Sequence, residues 1–224
     1  MLHVHLSPSM FSRRHWLVGL LFAVLLACSV LFTIGGTAHA APAVPCCPGP
    51  FNPSAAVTYA NNHWNWPKYN SATPAVSAGQ GQPNFQCAEF VARALAVGGY
   101  IPGINGYSST QNALNNYKPG DGVTYDLLSV TPGLAPPDHT LQSYLTTFGL
   151  ATNVGTSLSN IKPGDVVVFK DSSGTPQHMA IIVKVGSSRA TTLLDAHNDA
   201  RHQVSLASEA GGFTSFYILH LLQH

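Results

Sequence analysis

Cys87 and His178 are the residues whose types best fit nucleophilic chemistry in this sequence, and Asp195 and His197 follow closely enough to act as polar partners. A thiol is a weak nucleophile until it ionises, and a helix N-terminus, a nearby imidazolium and partial exposure each favour the thiolate. Cys87 has the first of these from the chain itself. Asn84 can cap a helix whose apolar stripe is Phe90, Val91, Ala94 and Leu95 and whose stop is Gly98-Gly99, which sets Cys87 in the first turn. The second feature needs a histidine brought near by the fold, and that histidine needs a third polar group to orient it. His178 opens a strand-like run, Met179 to Val185. Asp195 and His197 lie two residues apart on the next such run and so point to one face. With a tight connection between Val185 and Thr191, either side chain can hydrogen-bond the His178 ring. The chemistry such a set supports is attack of a thiolate on a carbonyl, with the imidazole as base and then as acid toward the leaving group.

Taken alone, a cysteine is more often a small buried hydrophobe, and only the pairing with His178 reverses that balance. His3, His5, His15 and His39 fall in the N-terminal segment, His63 sits among aromatics, and His220 and His224 end the chain, so none is given a role. Asp195, His197, Asp199 and His202 match no zinc spacing, and neither a metal nor a cofactor is expected. Trp64, Trp66 and Tyr69 read as core packing, and Gln80 and Gln82 as polar loop residues.

These residues must be carried by a chain that begins as an export signal. Arg13 and Arg14 precede an apolar stretch from Trp16 to Ile34, and Ala38-His39-Ala40 is an A-x-A cleavage site with Ala41 as the first mature residue. The apolar run is also about as long as a membrane span, so membrane contact is expected only through this segment if it stays uncleaved. Residues 41–53 hold five prolines and the pair Cys46-Cys47, and read as a flexible arm. Residues 54–224 then form one domain. Charged residues are 8% of the chain, against about 25% in an average domain. With no basic stripe to neutralise phosphates, nucleic acid is excluded as a partner, and the chain is expected to be a monomer.

The domain reads as helices followed by a meander. Ser54 to His63 has helical spacing with Ser54 as cap, residues 100–137 form a long Gly- and Asn-rich excursion expected to shape access for substrate, and Leu141, Tyr144, Leu145 and Phe148 mark a short helix ending at Gly149. Lys162-Pro163-Gly164-Asp165 is a turn into a strand at Val166 to Phe169. The runs Met179 to Val185, Thr191 to His197, Gln203 to Leu206 and Ser215 to Leu221 bring the count to about five, and their short connections make them antiparallel. The predicted class is α+β, with the nucleophile at a helix start packed on an antiparallel sheet.

Several segments resemble known families. Gln86-Cys87-Ala88-Glu89-Phe90-Val91 resembles the nucleophile helix of CHAP-type and related papain-like peptidoglycan hydrolases. The stretch Leu158 to Phe169, the early Asn52 to Ala60, His178-Met179-Ala180-Ile181-Ile182-Val183 and Asp195 to Asp199 are similar to bacterial putative amidase domains of the same superfamily. Gln86 departs from the acidic residue that amidase-like domains tend to carry there and matches the CHAP type. Spanning roughly residues 52–220, the resemblance implies a papain-like fold and hydrolysis of an amide in peptides or wall peptidoglycan. It implies Cys87 as nucleophile, His178 as base, His197 as first choice for the orienting group and Asp195 as second. A backbone N–H at Cys87 is the expected oxyanion donor. Export implies an extracellular or cell-envelope location.

Overall fold

The computed structural model describes residues 51–66, 86–131, 139–197 and 199–222. The signal segment, most of the proline-rich arm with Cys46 and Cys47, Tyr69, Gln80, Gln82 and the expected cap Asn84 lie outside the described residues. Within them, α1 (Pro53–His63), α2 (Cys87–Val97), α3 (Gln111–Asn115) and α4 (Leu141–Thr147) come first. They are followed by β1 (Ala151–Asn153), β2 (Val166–Lys170), β3 (Pro176–Lys184), β4 (Leu193–Ala196), β5 (Arg201–Ser205), α5 (Leu206–Ala210) and β6 (Ser215–Leu221). This is the α+β order expected from the sequence, with six strands among the described residues where about five were predicted.

The strands form one antiparallel sheet in the order β1-β6-β2-β3-β4-β5. The additional strand is β1, whose three residues are too few to carry an alternation; pairing of Ala151 with Leu221 on β6 makes it a strand. The first helix starts earlier than expected. Asn52, not Ser54, is its cap, accepting from the Ala55 N–H at 3.0 Å, and Pro53 takes the first helical position, where a missing N–H costs nothing. In α2 every residue from Cys87 to Ala96 is buried, so this helix is the centre of the helical layer. It stops where the glycine pair predicts: Gly99 has φ 83° and the Tyr100 N–H reaches back to the Leu95 carbonyl at 2.9 Å.

Two apolar layers flank the sheet. One joins α1, α2 and α4 to Val166, Val168, Met179 and Ile181; the other gathers Val167, Phe169, Ala180, Ile182, Leu194, Leu206 and Ile218. The Lys162 to Asp165 turn ties both ends of the domain together. Gly164 has φ 102°, and a Cβ there would lie 2.9 Å from that of Pro53 at the start of α1. Asp165 accepts from the Lys162 and Leu221 N–H groups at 2.8 and 2.9 Å and from Nδ1 of His220 at 2.8 Å.

In the excursion after α2, Tyr100, Ile101, Leu114, Tyr117, Tyr125, Leu127 and Val130 are all buried, so its described part packs into the core. Arg93, fully buried, holds it down by donating to the carbonyls of Gly106 at 3.0 Å and Ser109 at 2.9 Å while pairing with Glu89 at 2.8 Å. Removing one member of a buried pair strands the other charge without compensation, which costs about 3–5 kcal/mol. Arg93→Met is therefore expected to lower stability by that amount in urea unfolding, and a loss below about 1 kcal/mol would contradict the account of this anchor.

Candidate active site

Cys87 occupies the first position of α2, ahead of the helix's first backbone bond, which runs from the Phe90 N–H to the Gln86 carbonyl at 2.9 Å. Amides at such a helix start have no intrahelical acceptor and carry the positive end of the helix dipole. Among the described residues Cys87 is a free cysteine, and it has no solvent-accessible surface.

His178 lies on β3 opposite Phe169 of β2. The last rung between β3 and β4 is Ala180 with Ala196, so His178 stands two residues beyond that ladder, where its ring is not constrained by a neighbour on β4. The ring lies flat against Phe213 at 5.5 Å and 4°, with Phe169 at 5.7 Å. At the margin of the second layer the ring is near enough to Cys87, a member of the first, for the two to interact electrostatically.

Nε2 of His178 is 3.3 Å from Oε1 of Glu209, an ion-pair contact whose N–H is not aimed along the oxygen as in an ideal hydrogen bond. Burial pulls the His178 pKa down, but the charges and hydrogen bonds of Cys87 and Glu209 outweigh it and push the pKa up to about 9. The contact with His178 in turn holds the Glu209 carboxyl below its usual range against the opposing effect of burial, with the charges of His178 and Arg201 adding to it.

The four residues singled out by the sequence are not all gathered on this ring. Asp195 pairs in register with Ile181, three residues along from His178. Its Oδ1 accepts from the Gln203 N–H at 2.7 Å and lies 3.3 Å from Nδ1 of His202, while burial raises its pKa against both contacts. It therefore braces the β4–β5 connection. His197 follows β4, packs against Phe90 of α2 at 4.8 Å and donates from Nε2 to the His63 carbonyl at 3.2 Å. Burial lowers its pKa to about 4, and the positive charge of His178 pushes the same way against the pull of backbone hydrogen bonds. His197 is thus a neutral imidazole with its hydrogen on Nε2 and an acceptor lone pair on Nδ1.

Both histidines line a cavity of about 310 Å³ together with Arg201, Val204, Glu209 and Phe213. That size is at the lower end for small-ligand sites. Arg201 bridges two acids, 3.6 Å from Asp199 and 3.8 Å from Glu209. Among the described residues no three His, Cys, Asp or Glu side chains gather to hold a metal ion. Glu209 is the residue sequence reasoning missed. It sits in a short polar helix with no motif, and the available signal was scarcity: the chain has nine acidic residues, so each is a candidate partner for a buried histidine.

The domain is α+β, with a thiol at a helix start electrostatically coupled to an imidazole that lines a polar cavity. Residues 51–219 match the family described as "putative amidase domain", and the chain belongs to that family, whose description points to hydrolysis of amides. No curated protein and no solved structure matches the chain.

The neutral state of His197 sets a pH dependence whose sign is fixed. Its folded pKa, about 4, lies below the ordinary 6.5, so between these values the unfolded chain binds a proton that the folded chain does not. Stability then falls as pH is lowered through this window, by up to about 1.4 kcal/mol per unit from this group. Urea unfolding between pH 7 and 4 is expected to show a shallower acid-side decline in His197→Asn than in the wild type; equal slopes would contradict the assignment.

Proposed function

We propose that the chain is a secreted cysteine amidase or peptidase that hydrolyses amide bonds in peptides of the cell wall. The observation that carries this reading is the electrostatic coupling of Cys87, at the start of α2, to the His178 imidazole, whose pKa it helps to raise to about 9. Family membership supports amide hydrolysis, and the signal-like residues 1–40 support export to the compartment where wall peptides occur.

In the proposed reaction the pair starts as thiolate and imidazolium. The Cys87 sulfur bonds to the amide carbonyl carbon while the Cys87 backbone N–H stabilises the oxyanion. The C–N bond then breaks, and the imidazolium proton passes to the departing amine, leaving a thioester and neutral imidazole. Water attacks the thioester carbon as His178 takes its proton. Cleavage of the C–S bond releases the carboxylic acid and restores thiolate and imidazolium. Because Cys87 is fully covered and His178 is 5% exposed, a substrate carbonyl reaches the sulfur only after covering groups shift. Phe213, lying flat on the imidazole, is one such group.

Digesting purified cell walls with the wild type and with Cys87→Ala, followed by mass analysis of the fragments, tests this reading. The wild type is expected to release peptide fragments carrying new amine and carboxylate ends. Cys87→Ala should release them at least about a thousandfold more slowly, as expected when a covalent nucleophile is removed. Equal release by both would refute cysteine catalysis, and no release by either would refute the wall substrate.

A further inference from the structure

We infer that Glu209 is the positioning residue that turns the His178 imidazole toward Cys87, and that Arg201 fixes Glu209 in turn. This rests on the reading that Cys87 and His178 are the reacting pair, and it assigns the orienting role to α5, not to the strand β4 that follows β3.

Register argues against Asp195, and charge favours Glu209 over His197. Asp195 is aligned with Ile181 and directs its carboxylate to Gln203 and His202. His197 is neutral, directs its Nε2 hydrogen to the His63 carbonyl, and so brings no negative charge to an imidazolium. Glu209 approaches the ring itself. Its Oε1 is 3.3 Å from Nε2, and the two side chains are 12% and 7% exposed, so their attraction is little screened by water. A contact of this length in a site without substrate is one that tightens as the site closes.

The segment carrying Glu209 is built to hold a ring in one orientation. The Ser205 hydroxyl caps α5 by accepting from the Ser208 N–H at 3.1 Å, and Leu206 is fully buried in the second apolar layer. Three residues after the helix, Phe213 lies parallel to the His178 ring. The phenyl lies parallel to the imidazole and the carboxylate faces its Nε2 edge, so the two together restrict the ring's plane and rotation. Arg201, on the neighbouring β5, lies 3.8 Å from the other carboxylate oxygen and favours the ionised form of Glu209.

The titratable and charged groups around the ring are Cys87 of α2, His197 after β4, Arg201 of β5, Glu209 of α5 and, paired to Arg201, Asp199. Reaction of Cys87 with iodoacetamide across pH 5–10 reads the pair without a substrate. In the wild type the rate should change along an upper limb near pH 9, where the imidazolium is lost. Glu209→Gln is expected to move that limb down by about one unit, so that the two proteins differ most in alkylation rate between about pH 8 and 9. Glu209→Asp should recover part of that shift, and Arg201→Met should shift the limb in the same direction by less. A Gln variant that alkylates like the wild type, with the same limb, overturns the role of Glu209 while leaving the Cys87–His178 pair intact. A wild type with the reactivity of an ordinary thiol overturns that pair, and this inference with it. If Glu209→Gln does not fold, the wild type still decides: a low-field proton resonance coupled to Nε2 of His178 supports the contact, and a resonance showing hydrogen on Nδ1 alone overturns it.

Discussion

An imidazole drawn toward its charged form while buried is the constraint from which the site follows. Taking a cation out of water is costly, and only nearby negative charge of good geometry offsets it. For His178 the influences that raise its pKa are Cys87, on the helical layer, and the Glu209 carboxylate, 3.3 Å from its Nε2. Each of the elements that meet here supplies one component. The start of α2 carries the thiol, the end of β3 reaches past the β4 ladder to carry the ring, and α5 carries the acid. His197 shows the reverse outcome within the same cavity: burial, with the charge of His178 adding to it, lowers its pKa to about 4.

Two other buried ionic groups are closed in the same way. Glu89 and Arg93 are both buried within α2, and the pair is closed by backbone carbonyls and by Gln111, which donates to Glu89 at 2.6 Å. Asp165 is satisfied by two backbone N–H groups and His220. Such fully connected polar groups favour one packing arrangement over its competitors.

Periodicity and punctuation carried the elements that matter most. The apolar stripe of α2 with its glycine stop, the Lys162 to Asp165 turn, and the runs that became β2, β3, β4 and β6 were legible because each has a local physical cause. The cap of α1 was misread because a serine inside the first turn resembles a cap, and Asn52 with Pro53 at the first helical position outcompetes it. The burial of the excursion after α2 was not legible because its tyrosines and leucines have no helical or strand period; they bury through irregular turns pinned by Arg93. Within the site, the type and order of Cys87 and His178 could be read, whereas the neighbour of the imidazole could not. Which residue faces a ring depends on strand register and on where a ladder ends, and a shift of three residues separates Asp195 from His178. Nothing local to Glu209 announces that the chain returns there after β5.

The most direct test is an NMR titration of the His178 imidazole in the wild type and in Cys87→Ala. The account requires a midpoint near pH 9 in the wild type and a clearly lower one once the sulfur is removed. A midpoint at the ordinary histidine value, unchanged by loss of Cys87, would show that the two side chains do not share a charge and would contradict the account at its base.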